Sequence, residues 1–266
     1  MTERTDTPGT SVFDRVHELS AAGVPVAVAT IVRGPALGSK LLVLPDGTEG
    51  RLGATGLEAD VESRARVMLT EERSGVRTFT DRLGERVEAF IDIYPPPPHL
   101  LVFGGVHVAQ ALVTYARPLG YRITVVDARQ TLATPERFPD VDALIVAWPD
   151  DAFAQLTIGP STDIAILTHD PKFDEPALLG ALATPARYIG AVGSRSTNAD
   201  RRQRLLDNGV PPDDLKRVHG PIGLDIGGET PEEMAISILA EMIAERHGRG
   251  GGKLTGSKGR IRGGQS

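Results

Sequence analysis

The chain of 266 residues contains no cysteine, which excludes disulfide bonds, thiolate metal sites and a cysteine nucleophile together. No apolar run approaches the roughly 18 residues of a membrane-spanning helix, and the first ten residues, MTERTDTPGT, lack the apolar segment of a signal peptide. The net charge of -6 provides no basic surface for a polyanion. We therefore expect a soluble, cytoplasmic protein with no nucleic-acid partner and no membrane partner.

Composition and length are typical of a two-domain globular protein. Hydrophobic residues make up 40% of the chain and charged residues 24%, and a length of 266 residues favours two domains. The four consecutive prolines at 95–98 predict a stiff extended spacer, because proline fits neither a helix interior nor a sheet interior. We expect an N-terminal α+β domain at 1–94, a proline linker at 95–98, a Rossmann-like domain at 99–247 and a disordered, glycine-rich tail at 248–266.

Hydrophobic periodicity predicts helices and strands in both halves of the chain. In the N-terminal half we expect helices over 11–22 and 57–70, strands over 26–32 and 40–44, and a hairpin of 76–80 with 87–93. In the C-terminal half, strand patterns at 100–103, 122–126, 141–147, 163–167 and 188–192 alternate with helical or loop segments. Alternation of this kind predicts an α/β fold, with a doubly wound parallel sheet covered by helices on both faces.

The segment 100–129 predicts a complete β-α-β unit with a phosphate-binding turn. Its first strand is followed by Gly104 and Gly105 and then by a helix, whose N-terminal N–H groups attract a phosphate. Asp127 ends the second strand 23 residues after Gly104, about where a Rossmann unit binds a ribose hydroxyl. Val106 replaces the expected middle glycine, so a dinucleotide should be pushed away or tilted. His107, in the first helical turn, could bind a phosphate or a pterin edge; the alternatives are a solvent-facing histidine and an ordinary βα turn.

A second candidate anion site follows the strand at 188–192. Gly193, Ser194 and Arg195 bring N–H groups, a hydroxyl and a guanidinium together, and Arg201 and Arg202 follow within two turns. A basic helix start in solvent explains the same pattern equally well.

The glycine-rich segment 219–228 is too apolar for a flexible surface loop. It predicts backbone held closely against a neighbouring element or a flat ligand, with Asp225 pointing towards the site. The capping box that starts at Thr230 then predicts the beginning of the last helix. Three helix starts or glycine turns could thus converge at the carboxyl edge of one sheet. The six histidines lack metal-ligand spacing and no Ser-His-Asp order is present, so we predict no metal site and no catalytic residues.

These motifs together resemble the xanthine dehydrogenase accessory proteins of the XdhC/CoxI family. The resemblance rests on FGGVHVA, TVVDAR, YIGAVGSRS and GPIGLDIGGETPEEMAISILAEMIAER in the C-terminal half, and more loosely on ATIVRGPALGSKLLV and GRLGATGLEADV in the N-terminal half. Together they cover about residues 24–246. Two positions depart from the family pattern: Gly56 stands where the family often has a cysteine, and Val106 where it has a glycine.

The resemblance implies a factor that binds the molybdenum cofactor, as molybdopterin or its cytidine dinucleotide form, and helps to insert it into molybdenum hydroxylases. Xanthine and carbon monoxide dehydrogenases are examples of such targets. The implied partners are the hydroxylase apo-enzyme, a sulfurtransferase or a cofactor nucleotidyltransferase, and a second copy in a homodimer. The implied cofactor-binding residues are Gly104, Gly105, His107, Asp127, Arg129, Gly193, Ser194, Arg195, Asp225, Gly227 and Thr230.

Two other functions remain open at this point. An NAD(P)-dependent oxidoreductase would use the same fold, but no Tyr-x-x-x-Lys pair or equivalent is present and Val106 disfavours NAD(P). An adaptor that has lost ligand binding is the third alternative, supported by Val106 and Gly56. The fold cannot decide among these three, since one scaffold hosts many functions.

Overall fold

The computed structural model describes residues 11–53 and 56–256, which form two compact units that divide between Pro97 and Pro98. The polar N-terminal ten residues and the end of the predicted tail, 257–266, lie outside the described residues. In the part of the chain that is described, no helix is both long enough and apolar enough to cross a membrane.

The N-terminal unit is an antiparallel sheet with helices, in the order of strands β3-β2-β1-β5-β4. Its elements are α1 (Val12–Ala21), β1 (Val26–Arg33), β2 (Lys40–Leu44), β3 (Gly47–Arg51), α2 (Glu58–Glu71), β4 (Gly75–Thr80) and β5 (Arg86–Tyr94). Helix α2 buries Val61, Ala65 and Met68 in the core that it shares with the sheet. The predicted hairpin is present as β4 and β5, because its alternating apolar residues form one buried face.

Strand β3 has no counterpart among the predicted elements. It is an edge strand paired only with β2, and most of its residues are exposed. Without a buried face it carries no apolar alternation, so its sequence gives no strand signal.

The C-terminal unit is a six-stranded parallel sheet in the order β8-β7-β6-β9-β10-β11. Its elements are β6 (His99–Phe103), α3 (His107–Ala116), β7 (Arg122–Val126), β8 (Ala143–Ile145), α4 (Pro149–Phe153), β9 (Thr162–Ile166), α5 (Pro171–Leu182), β10 (Tyr188–Ala191), α6 (Arg195–Asp207), β11 (Val218–His219) and α7 (Pro231–Arg246). From β6 the chain adds β7 and β8 on one side of the sheet, and it then returns to add β9, β10 and β11 on the other side, which is the doubly wound arrangement. The predicted α/β fold class with a Rossmann-like sheet is confirmed.

Two apolar cores cover the two faces of this sheet. On one face, α3 and α7 pack together and contribute Leu112, Ile238 and Met242. On the other face, α5 and α6 contribute Leu178 and Leu205. Every residue of β6 and β9 is buried, as expected for central parallel strands.

A buried polar cluster closes the amino edge of the sheet. The fully buried Asp163 accepts hydrogen bonds from Tyr121 Oη (2.7 Å) and from Arg187 Nε and Nη2 (3.0 and 2.9 Å). Arg246, at the end of α7, donates to Tyr121 Oη and lies over the tyrosine ring. The charge of Asp163 is thus compensated within the chain, and open α/β sheets bind ligands at the opposite, carboxyl edge.

The first part of the predicted tail, 248–256, follows α7 and ends in a short 3-10 turn at Leu254–Gly256. Gly251 passes close to Leu224, since a Cβ added at Gly251 would lie 2.6 Å from Leu224 Cδ1. Gly251 therefore lies against the domain, while the residues of 248–256 are exposed to solvent.

Candidate functional site

The carboxyl edge of the parallel sheet carries the predicted motifs. Gly104 follows β6, Asp127 follows β7, Thr168 lies just after β9 and Gly193 just after β10. Open α/β sheets bind ligands at this edge.

The glycine turn after β6 is closed by the protein itself. The Gly104 N–H donates to Val126 O at 2.8 Å, and the Gly105 N–H donates to Asp127 Oδ2 at 2.7 Å. A Cβ added at Gly104, which has a φ of +109°, would overlap with Thr168 Cγ2, and one added at Gly105 would lie 2.6 Å from Leu132 O. Both glycines thus allow neighbouring protein groups to approach closely. Their N–H groups, which the sequence predicted would bind a phosphate, donate instead to Val126 O and Asp127 Oδ2.

Asp127 is likewise engaged within the chain. Its carboxylate is 1% exposed and accepts from the Arg129 N–H, Nε and Nη2 at 2.9, 2.9 and 2.8 Å. Burial acts to raise the pKa of Asp127, but the hydrogen bonds from Arg129 and Gly105 outweigh it and keep the pKa below its usual value. Arg129 therefore occupies the carboxylate that the sequence predicted would bind a ribose or pterin hydroxyl, and its own guanidinium is half exposed.

The start of α3 presents few groups to a ligand. Val106 is its N-cap, has ordinary extended backbone angles, and packs against the core. His107 is exposed in the first turn. The turn therefore differs from a dinucleotide site in two ways: Leu132 covers Gly105, and Val106 has a side chain where such sites have a glycine.

The other half of the carboxyl edge is open and forms a cavity of about 560 Å³. This volume falls within the range of small-molecule sites. Its walls are the loop after β10, the loop after β11 and the first turns of α7. The lining residues are Gly193, Ser194, Arg195, Pro221, Ile222, Gly223, Leu224, Asp225, Ile226, Gly227, Gly228, Met234, Ser237 and Ile238.

The loop after β10 offers open donors to this cavity. Gly193 has a φ of +125°, and its N–H has no acceptor among the described residues. Ser194 is the N-cap of α6, where its hydroxyl oxygen accepts from the Thr197 N–H at 3.1 Å. The exposed Arg195 guanidinium makes no ion pair or hydrogen bond within residues 11–53 and 56–256. An amide and a guanidinium are thus free to bind an anion, while the hydroxyl caps the helix.

A buried ion pair fixes the position of this loop. Arg201, 4% exposed, donates from Nη2 to Asp174 Oδ2 at 3.0 Å and from Nη1 to Asn198 Oδ1 at 2.6 Å. Asn198 Nδ2 in turn donates to Gly193 O at 3.0 Å, and the Thr168 hydroxyl donates to Asp174. For Arg201, both alternatives that the sequence left open, an anion site and a basic helix start in solvent, are therefore wrong, because its side chain points into the domain and pairs with a carboxylate on α5.

The glycine-rich loop after β11 is held against the protein, which was one of its two predicted explanations. Ile222 packs onto Gly190, where an added Cβ would lie 2.5 Å from Ile222 Cγ1. Gly223 has a φ of +100°, and a Cβ there would overlap with Ser237. The Ser237 hydroxyl donates to Leu224 O at 2.5 Å. The loop is consequently a preformed wall of the cavity.

Glu241 ties the same loop to α7, and sequence reasoning gave it no role. Its Oε2 accepts from the Gly223 N–H at 2.8 Å and from the Tyr188 hydroxyl, and its Oε1 lies 3.5 Å from His219 Nδ1. The hydrogen bond with Glu241 raises the pKa of His219 despite partial burial. His219 also stacks on Tyr188, with ring centroids 4.5 Å apart. Glu241 lies among the apolar residues of α7, directly before the buried Met242, and nothing in the sequence indicates this contact.

The predicted site residues thus divide into two groups. Asp225 and Gly227 lie in the cavity wall, and the Asp225 carboxylate has no hydrogen-bond partner in the described part of the chain. Thr230 accepts from the Glu233 N–H at 3.2 Å as the cap of α7 and does not line the cavity. The structure brings together Gly193, Ser194, Arg195, Asp225 and Gly227, and it leaves Gly104, Gly105, His107, Asp127, Arg129 and Thr230 outside this wall.

In the N-terminal unit, Gly56 has a φ of +78°, and a Cβ there would overlap with the flexible Arg82 side chain. Across the described ranges, no group of three or more histidine, aspartate or glutamate side chains is placed to hold a metal ion.

The sequence is similar to known protein families in both halves. The model of the XdhC Rossmann domain matches residues 100–242, and that of the XdhC and CoxI family matches residues 19–80. The chain is 30% identical over 260 residues to the uncharacterized protein YqeB of Escherichia coli, covering 92% of this chain and 48% of that one.

Two further relatives have descriptive names. A protein of Bacillus subtilis named as a probable xanthine dehydrogenase subunit is 33% identical over 157 residues, covering 59% of this chain and 46% of that one. The molybdenum cofactor insertion chaperone PaoD of Escherichia coli is 25% identical over 191 residues, covering 72% and 51%. The chain therefore spans about half the length of the curated relatives it matches.

A crystal structure described as a xanthine dehydrogenase from Bacillus halodurans shares the fold. It superposes with a TM-score of 0.53 at 23% sequence identity, covering 93% of this chain and 98% of that one.

Proposed function

Because the chain belongs to the XdhC and CoxI family, we propose that it is an accessory protein that binds the molybdenum cofactor and delivers it to a molybdenum hydroxylase. The names of two relatives, a cofactor insertion chaperone and a probable xanthine dehydrogenase subunit, support this proposal. Xanthine and carbon monoxide dehydrogenases are the proposed class of target apo-enzyme. The cofactor would be molybdopterin or its cytidine dinucleotide form. A sulfurtransferase or a cofactor nucleotidyltransferase is a further proposed partner, and a homodimer is the proposed assembly.

The observation that carries the proposal is the open cavity beside Arg195. A molybdenum cofactor carries a phosphate, and the free guanidinium of Arg195 together with the Gly193 N–H would bind it. The first turn of α6 adds the positive end of a helix dipole behind these donors. The donor set therefore fits an anionic cargo.

A carrier must also release its cargo, and the geometry is suited to release. Arg195 is exposed, so its attraction to a phosphate is screened by solvent and the contact remains reversible. The wall of glycine-rich backbone after β11 is preformed by its contacts with α7, so no large ordering is needed on binding. We propose binding and transfer, with no covalent step on this chain.

The test is cofactor content after expression in cells that make molybdopterin. We expect molybdenum and pterin to copurify with the wild-type chain, and Arg195→Lys to retain several-fold less, because a point charge cannot reproduce the planar contact of a guanidinium with phosphate. Arg202→Lys is the matched control, since Arg202 is exposed on the same helix but does not line the cavity.

A second measurement tests delivery. The loaded chain should activate a molybdenum hydroxylase apo-enzyme, and the chain purified from molybdopterin-deficient cells should not. A wild-type chain that carries neither molybdenum nor pterin would contradict the proposed function. If Arg195→Lys carries as much molybdenum and pterin as wild type, the cofactor binds at another part of the surface.

A further inference from the structure

Two side chains of opposite charge line the cavity, and they come from different segments of the chain. Arg195 is the first residue of α6, directly after the loop that follows β10, and Asp225 belongs to the loop after β11. Among the residues that the structure describes, neither the guanidinium nor the carboxylate has a hydrogen-bond or ion-pair partner. A ligand that matches this wall has an anionic group for Arg195 and a separate group of N–H donors for Asp225.

The chemistry of a carboxylate limits which N–H donors of a ligand can bind Asp225. An ionised aspartate only accepts hydrogen bonds, and its two oxygens suit two parallel N–H donors held in one plane. The 2-amino-4-oxopyrimidine ring presents such a pair, a ring N–H beside an exocyclic amino group. Pterins contain this ring, and so do guanines.

The apolar part of the wall suits a flat ring. Ile226 is 53% exposed although it lines the cavity, so a stacked ring would cover apolar surface that now faces solvent. Met234 adds a polarisable thioether on the helix side, which packs well against aromatic rings.

Building on the proposed function, we infer that Asp225 recognises the pyrimidine edge of a pterin whose phosphate is bound at Arg195. The ligand class is a phosphate monoester that carries a 2-amino-4-oxopyrimidine ring. Guanine nucleotides share this chemistry, so the experiment has one arm for each source.

The first arm measures pterin per chain after expression in molybdopterin-producing cells. We expect Asp225→Asn to carry about a tenth or less of the wild-type pterin, because the amide replaces an ionic acceptor by a group that also presents donors. Asp200→Asn is the matched control, an exposed aspartate on α6 that does not line the cavity. An unchanged melting temperature of Asp225→Asn would show that the loss is not one of folding.

The second arm titrates guanosine and inosine monophosphates by calorimetry, since inosine monophosphate lacks the 2-amino group. We expect the wild-type chain to prefer the guanosine nucleotide by about 10-fold or more, and Asp225→Asn to lose this preference. Wild-type pterin content in Asp225→Asn would overturn the inference and leave the proposed function standing. If the wild-type chain carries no pterin, the proposed function fails. In that case, a preference for guanosine over inosine monophosphate would assign the cavity to guanine nucleotides. Equal affinities for the two nucleotides, or no binding of either, would overturn the role of Asp225.

Discussion

Replacing Arg201 by methionine should destabilise the C-terminal domain strongly, because it breaks a buried ion pair. Arg201 is 4% exposed and its partner Asp174 is 1% exposed, with Nη2 and Oδ2 3.0 Å apart. After the substitution the Thr168 hydroxyl is the one side-chain hydrogen-bond donor left to the carboxylate among the described residues. Removing one member of a buried pair costs about 3–5 kcal/mol of unfolding free energy, since the remaining charge is left uncompensated.

The double variant Arg201→Met with Asp174→Leu separates the uncompensated charge from lost packing. Replacing both members of a buried pair by apolar groups of similar size is close to neutral, so we expect stability to return to within about 2 kcal/mol of wild type. A double variant as unstable as Arg201→Met would mean that the loss comes from packing and from the hydrogen bonds of Arg201 to Val192 O and Asn198 Oδ1, and not from the orphaned carboxylate.

The assay is urea unfolding followed by the fluorescence of Trp148, the only tryptophan in the chain. Its ring lies 5.9 Å from that of Phe173, which directly precedes Asp174, so its emission reports on the C-terminal domain. Arg195→Met serves as the control and should change stability by no more than about 0.5 kcal/mol, because Arg195 is exposed on the same helix and has no hydrogen-bond or ion-pair partner among the described residues. A cost below about 1 kcal/mol for Arg201→Met would refute the reasoning from buried charge.

Three other predictions follow from the same structure. Gly104→Ala should lower the unfolding free energy by about 2 kcal/mol or more, since the left-handed backbone is strained and the new Cβ overlaps with Thr168; thermal unfolding measures this. Thr230→Ala should cost about 1 kcal/mol through loss of the α7 cap, while its pterin content stays unchanged. The wild-type chain should have a higher unfolding free energy than His219→Gln, because protonated His219 pairs with Glu241. This difference should be fully present below about pH 6.5 and should decline as the pH rises through the raised pKa of His219, as urea unfolding across pH can measure.

Each of these three has a control or a contrary result. Gly209→Ala is matched to Gly104→Ala, since Gly209 also has a positive φ, +85°, but no atom within 4 Å of an added Cβ, so it should cost less. A Thr230→Ala chain that loses pterin at unchanged stability would bring Thr230 into the binding site. Parallel pH profiles of wild type and His219→Gln would exclude His219 as the titrating group.

Much of the C-terminal fold could be predicted because its strands are short apolar runs, two of which, β6 and β7, end directly before Gly104 and Asp127. Strand β7 has the predicted bounds, and β6 begins one residue earlier than predicted. Strand β11 was missed because a two-residue edge strand, Val218–His219, contains no periodic pattern. Strands β3 and β11, each at one edge of its sheet, thus escaped prediction for the same reason, which is that too little of them is buried.

The site was harder to predict, because sequence spacing gives the position of a residue on the fold but not its hydrogen-bond partner. The spacing put Asp127 and Arg201 at the carboxyl edge, but it could not indicate that Asp127 binds the Gly105 amide or that Arg201 pairs with Asp174, 27 residues away. Arg195 and Arg201 are both arginines near the start of α6, yet only Arg195 remains unpaired within the described chain.

The two halves of the carboxyl edge differ in how far their polar groups are satisfied, and this difference bears on the kind of ligand. In the half after β6, both glycine amides and the Asp127 carboxylate are bonded within the chain, and Leu132 covers Gly105. In the half after β10, an amide and a guanidinium are open beside the cavity. A dinucleotide spans both halves of such a sheet and needs the first as well as the second. A compact ligand with one phosphate needs only the second, so this difference supports the proposed pterin phosphate rather than NAD(P).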